Sequence, residues 1–167
     1  MARVALPILD ARIQARVEAS IEAHPAWPCR DGCDHCCRSL PSLPKVSAPE
    51  WERMHHAIEA LAPDVRMQVH VGIASLRGIE RRVTCPLLSD AGSCRIYDAR
   101  PVACRSYGFY TERDAGLHCE RVLDALAPQL DQVLWGNGEA LGRELDALGE
   151  ARPLDAWLDG CLTKGRD

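Results

Sequence analysis

The sequence predicts a mostly α-helical fold: a single helical domain over residues 1–167, built around an irregular cysteine-rich core with room for one small β-hairpin. Three observations predict it. Apolar residues recur at helical spacing on both sides of the chain's middle. Proline and capping residues bracket those stretches. Eight of the nine cysteines lie between positions 29 and 119, in loops and turns beside Pro and Gly rather than in the helical stretches.

Taken in order, residues 8–23 place Leu9, Ile13, Val17 and Ile21 four apart among Arg, Glu and Gln, which makes an amphipathic helix. Pro25 and Pro28 forbid its continuation and lead into "CRDGCDHCC", Cys29 to Cys37. "SLPSLPK" then reads as extended or turn-like. Ser47 with Glu50 forms a capping box that opens a helix to about Ala62. Pro63 and Asp64 start another, which carries Val65, Val69, Ile73 and Leu76 and stops near Gly78. From 79 to 110 the period changes, and turn residues at Ser89–Ser93 between two short apolar runs predict the hairpin. Helices return over Glu120–Leu134, Glu139–Leu148 and Leu154–Leu162. Between the first two of these, "WGNG" is a helix-breaking turn whose glycines match neither a P-loop nor a dinucleotide fingerprint. The chain thus comprises a cysteine-cluster region, 24–119, and acidic C-terminal helices, 120–167.

Composition narrows the function. The chain has 167 residues, 47% of them hydrophobic, with a net charge of −4, as expected of a globular protein that buries its own core. That mildly acidic balance argues against electrostatic capture of nucleic acid. The charge is uneven: residues 120–167 hold ten acids and five bases, residues 1–119 fourteen acids and fifteen bases. Pro7, Asp10, Arg12 and Arg16 interrupt any apolar run of signal-peptide length near the N-terminus, and no stretch has the length of a membrane span. The expected location is cytoplasmic, where thiols stay reduced.

Compartment bears directly on the cysteines, at 29, 33, 36, 37, 85, 94, 104, 119 and 161. An odd count in a reducing compartment opposes a disulfide framework. A catalytic thiol needs one activated cysteine and a base, not eight thiols. Soft thiolates suit zinc and iron–sulfur clusters, so Cys29, Cys33, Cys36, Cys37, Cys85, Cys94, Cys104 and Cys119 are the expected metal ligands. Eight is four plus four, which allows two sites and leaves out Cys161, on the terminal helix. In an extended segment Cys36 and Cys37 point to opposite sides, so that they serve different sites or only one of them ligates. The compact run with distant single cysteines, and the Cys85–Pro86 step, lean toward iron–sulfur ligation. Structural zinc sites instead pair cysteines two to four residues apart on turns. Arg30, Arg38, Arg95 and Arg105 each adjoin a motif cysteine, and Arg100 is near, so guanidinium charge offsets thiolate charge. His35 and His118 adjoin cluster cysteines and are expected to hydrogen-bond around the ligands. His24, His55, His56 and His70 read as helix or surface residues.

The string "CRDGCDHCC", then "CPLL", then "GSCRIYDARPVACRSY" resembles the bacterial cysteine-cluster family, CxxCxxCC, of zinc- or iron-chelating proteins. The resemblance runs from Cys29 to Cys119. It implies metal binding, with the family's cysteines falling on Cys29, Cys33, Cys36, Cys37, Cys85, Cys94 and Cys104, and Cys119 completing the set. Tyr97, Arg100, Pro101, Arg105 and Tyr107 sit where the family's other signature residues lie. Arg95, Arg100, Arg105, Tyr97 and Tyr107 are therefore the candidates for contact with the bound cofactor. A subgroup that methylates flagellin lysines is longer than this chain, so methyl transfer does not carry over. Cys29-x3-Cys33-x2-Cys36 also has the radical S-adenosylmethionine spacing, but it follows a helix and two prolines rather than a barrel strand.

The expected function is thus metal binding by thiolates: one or two [4Fe–4S] clusters in electron transfer, redox sensing or cluster-assisted chemistry. The alternative is a zinc-binding structural or interaction module. No catalytic residue is identifiable, and the expected partners are metal ions, with neither nucleic acid nor membrane.

Overall fold

The computed structural model describes residues 5–79, 81–113 and 119–164, the last four of these by their backbone alone. His118 and the Cys161 side chain lie outside the described residues. Seven α-helices and four two-residue strands are present among them, so the protein is mostly α as expected. The chain forms two compact units, each drawn from segments distant in sequence: residues 1–30 with 102–149, and 31–101 with 150–167. The cysteine-rich segment contributes to both.

The first unit begins with α1 (Leu6–Ala23). Pro7 in its first turn removes only an N–H that has no helical partner, and His24 ends it just before Pro25. Leu6, Leu9 and Ile13 bury the predicted stripe against Val102 and Leu141, whereas Ile21 is exposed. The short α4 (Val102–Ser106) starts after Pro101. β2 (Tyr110–Thr111) and β3 (Gly136–Asn137) pair in parallel, so "WGNG" supplies a strand and a helix start, not only a turn. The helix expected over Glu120–Leu134 is interrupted. α5 (Glu120–Leu126) gives way to a 3-10 segment, Ala127–Gln132, at Pro128, which has no N–H to continue an α-helix. A second apolar cluster in this unit gathers Trp27, Phe109, Cys119, Val122, Leu126 and Val133, with Trp27 stacked on Phe109 at 5.0 Å. α6 (Gly138–Asp146) is capped by Asn137, whose side-chain oxygen accepts from the Ala140 N–H at 2.9 Å.

The second unit contains α2 (Ala48–Glu59), α3 (Pro63–Ser75) and α7 (Leu154–Lys164). β1 (Lys45–Val46) pairs antiparallel with β4 (Arg152–Pro153) beside them. The capping box is present: the buried Glu50 carboxylate accepts from the Ser47 N–H at 2.9 Å and from its hydroxyl at 2.7 Å. α2 and α3 end slightly earlier than predicted, at Glu59 and Ser75. Val46, Met54, Ile58, Val69, Ile73 and Leu154 are wholly buried and form one core with Trp51 and Leu158. Val69 and Ile73 are the middle of the predicted α3 stripe. The expected hairpin is reduced to a single antiparallel bridge, Leu88 with Cys94, closed by the Ser89 N–H on the Ser93 carbonyl at 2.9 Å.

Candidate metal centre

In the second unit three chain segments carry thiols to one place, and backbone bonds bring them there. Cys36 and Cys37 lie on a turn, in which the Arg38 N–H donates to Asp34 O at 3.0 Å and the Ser39 N–H to Cys36 O at 3.3 Å. Beyond it Leu40 and Val83 form an antiparallel bridge, each N–H bonding the other's carbonyl at 2.9 Å. That pairing sets the Cys85 N–H on the Cys37 carbonyl at 2.7 Å. The chain then turns at Ser89–Ser93, and the Arg95 N–H on Leu87 O at 2.9 Å brings Cys94 back beside Leu88. Cys85 and Cys94 both pack against the unit's core, half-buried.

The sulfurs sense one another. Cys36 Sγ and Cys37 Sγ lie 4.0 Å apart. The adjacent thiols approach because the segment is a turn; the opposed arrangement expected of an extended chain does not arise. A hydrogen bond to Cys36 lowers the Cys37 thiol. Its hydrogen bond with Cys85, its burial and the repulsion of charge at Cys85 and Cys94 outweigh that and push it from 9.0 to about 12. Burial also raises the Cys94 thiol, helped by Asp31 and Cys36, while the Ile96 backbone and the Arg100 charge oppose it. Cys36, Cys37, Cys85 and Cys94 are thus an electrostatically coupled group of four, in which accumulating negative charge is unfavourable unless a cation offsets it.

Cys33 is half-buried in the same unit, ahead of the turn. In the first unit Cys29 and Cys119 flank Gly108, whose φ is +82°. A Cβ there would come within 2.8 Å of Cys29 Sγ and 3.8 Å of Cys119 Cβ. Cys119 is buried just before α5, and Cys104 is half-buried on α4. None of the eight predicted ligands is joined in a disulfide. Among the described residues, no group of three or more His, Cys, Asp or Glu side chains is arranged as a ready metal site. The thiols of the second unit fit a soft metal by donor chemistry and by chain convergence, although their sulfurs do not form a closed coordination shell.

The other predicted residues have defined places. The Arg100 guanidinium lies 3.5 Å over the Tyr97 ring and its Nε donates to Tyr97 O at 2.9 Å, which holds its charge within reach of Cys94. Arg105 donates to the Asp10 carboxylate at 2.7 Å, tying α4 to α1. Tyr107 packs against the Trp27 cluster. The Arg95 backbone takes part in the bridge that returns Cys94. His24 is buried and its Nδ1 lies 3.3 Å from Gln129 Oε1, a helix-end packing role. Sequence reading missed Asp31 and Asp34. Asp31 raises Cys94, and the Asp34 carboxylate accepts from Arg38 Nε at 2.7 Å, so that arginine is tied to its own turn. The i,i+4 spacing of Asp34 and Arg38 was the available signal.

This arrangement gathers thiols from three segments, held by a few backbone bonds, with the Arg100 charge acting on one of them. The chain belongs to the CxxCxxCC family, described as a putative zinc- or iron-chelating domain, whose model matches residues 28–122. Among curated proteins and among solved structures, none matches the chain. No helix of the described residues is long and apolar enough to cross a membrane.

Proposed function

We propose that this protein binds metal through cysteine thiolates, as one or two [4Fe–4S] clusters that serve electron transfer, redox sensing or cluster-assisted chemistry. The observation that carries the thiolate reading is the return of Cys85 to Cys37, fixed by a 2.7 Å backbone bond and continued into a four-thiol group with Cys36 and Cys94. Those four would hold metal in the second unit, with Cys33 a further candidate. Cys29, Cys104 and Cys119 are the candidates in the first. A bound cluster would supply one-electron chemistry. The protein's own contribution is to keep the thiols half-buried and to place the Arg100 charge near Cys94. Cys85–Pro86 and the mixture of one compact run with single cysteines support iron–sulfur over zinc.

One distance favours the second reading, a zinc-stabilised module without chemistry of its own. Tetrahedral zinc with Zn–S bonds of about 2.3 Å spaces its sulfurs roughly 3.8 Å apart, close to the 4.0 Å between Cys36 and Cys37. Adjacent thiolates on different irons of a cluster would be spread further. Anaerobic purification followed by iron, zinc and acid-labile sulfide analysis, with a visible spectrum, separates the two. Iron with matching sulfide and broad visible absorption is expected. Stoichiometric zinc in a colourless protein that takes up no iron on anaerobic reconstitution would overturn the iron–sulfur reading in favour of zinc.

A further inference from the structure

The first unit contains a cavity of about 520 Å³, within the size range of small-molecule sites. One wall is α1, which presents Arg12 and Arg16 one turn apart; Ala15 and Ala19, also on this wall, are too small to fill the space. The other wall is the β2–β3 pair and the start of α6, with Tyr110 and Asn137. The Tyr110 ring packs beside Gly136, where a Cβ would come within 2.4 Å of it, so any other residue there would displace the ring.

Counting the polar groups of this cavity shows what it would accept. Arg12 donates one N–H to Glu144 at 2.6 Å, so its charge is already shared. Arg16 donates one N–H to the Leu134 carbonyl at 3.2 Å, a neutral acceptor, and has no carboxylate partner among the described residues. The Asn137 side-chain oxygen is engaged by Ala140, which leaves its amide NH2 to donate. The Tyr110 hydroxyl has no hydrogen-bond partner among the described residues, and both arginines act on it electrostatically. Among the described residues no carboxylate lines the cavity. The uncommitted polar groups that line it can therefore donate, and the Arg16 charge has no carboxylate partner among the described residues, although the Glu144 carboxylate behind Arg12 acts on Tyr110 from beside the cavity and keeps one buried oxygen unpaired. The N-terminus of the nine-residue α6 opens beside it.

We infer that this cavity is a binding site for a small molecule carrying an oxyanion, phosphate or carboxylate, that is held by Arg16, Arg12, the Tyr110 hydroxyl and the Asn137 amide. Guanidinium groups match both oxyanions in two-point geometry. The remainder of the ligand lies along the exposed alanines of α1, opposite the tyrosine ring. No cysteine is among the described residues that line the cavity.

The test uses the full chain as purified, titrated at constant ionic strength with pyrophosphate, adenosine monophosphate and succinate and followed by calorimetry. At least one probe binds saturably at one per chain with a dissociation constant below about 1 mM. Phosphate probes alone, or succinate alone, identify which oxyanion the site takes. Arg16→Gln weakens that probe at least tenfold and Tyr110→Phe several-fold, as loss of a charge-assisted and a neutral hydrogen bond requires. Ala15→Leu, which keeps every donor and only fills the space, also abolishes binding, while Arg66→Gln in the other unit leaves it unchanged. Circular dichroism checks that each variant is folded. Failure of all three probes to saturate, or undiminished binding by folded Arg16→Gln and Ala15→Leu, overturns the inference.

Discussion

Gly108→Ala offers a quantitative probe of how the fold positions one candidate ligand. At φ +82° a side chain costs about 1–2 kcal/mol from backbone sterics alone. In addition, the new methyl would stand 2.8 Å from Cys29 Sγ and 3.4 Å from Val122 Cγ2, so the sulfur must swing aside. Overpacking of this kind adds roughly 1–3 kcal/mol, for a total of about 2–5 kcal/mol. Gly78→Ala is the matched control, because its φ is +68° and nothing lies within 4 Å of its added carbon. It should cost only the backbone share. Urea denaturation of both variants measures the difference, and metal analysis of the folded fractions measures the consequence. Gly108→Ala should be the less stable by about 1–3 kcal/mol, and it should carry less metal while Gly78→Ala carries the full amount. Equal stability and equal metal content in the two variants would refute the reasoning that Gly108 holds Cys29 in place.

Three further predictions follow from the second unit. Ser47→Ala removes the hydroxyl on the buried Glu50 carboxylate, which is 3% exposed, and should cost about 1–2 kcal/mol in thermal or urea unfolding. Ile58→Ala opens a void in a fully buried site and should cost about 2–5 kcal/mol by the same assay, without changing metal preference. In metal-stripped protein, Cys37 keeps its proton to about 12 when folded against 9.0 when unfolded. Stability from that difference is whole below pH 9 and drains away as pH rises toward 12. Cys37→Ser should flatten this alkaline decline in a pH series of unfolding curves; an unchanged decline would discount the coupling.

Where structure depends on near neighbours, the sequence was readable. The Ser47–Glu50 box, the Pro63 that opens α3, and the Leu9–Ile13 and Val69–Ile73 stripes all depend on residues within two turns, and all appear. Glu120–Leu134 was overextended because apolar spacing outweighed Pro128, whose missing N–H ends the α-helix. The opposed Cys36–Cys37 orientation holds only for an extended segment, and residues 35–38 form a turn. Other features depend on long-range pairing. The Cys85–Cys37 approach requires Leu40 to meet Val83, and the parallel Tyr110–Gly136 register joins strands far apart in the chain. No period or cap encodes either. The interleaving of residues 1–30 with 102–149 is equally invisible to a left-to-right reading, as is Asp31 acting on Cys94. The eight candidate thiols, by contrast, needed only their positions.

The most direct test is native mass spectrometry of the full chain, kept anaerobic from lysis onward, beside a Cys37→Ser/Cys85→Ser variant. The intact protein should show a mass excess equal to bound zinc or to whole iron–sulfur clusters, and the variant should lose the portion held in the second unit. A folded protein at its bare polypeptide mass, taking up neither zinc nor iron under reconstitution, would contradict the account.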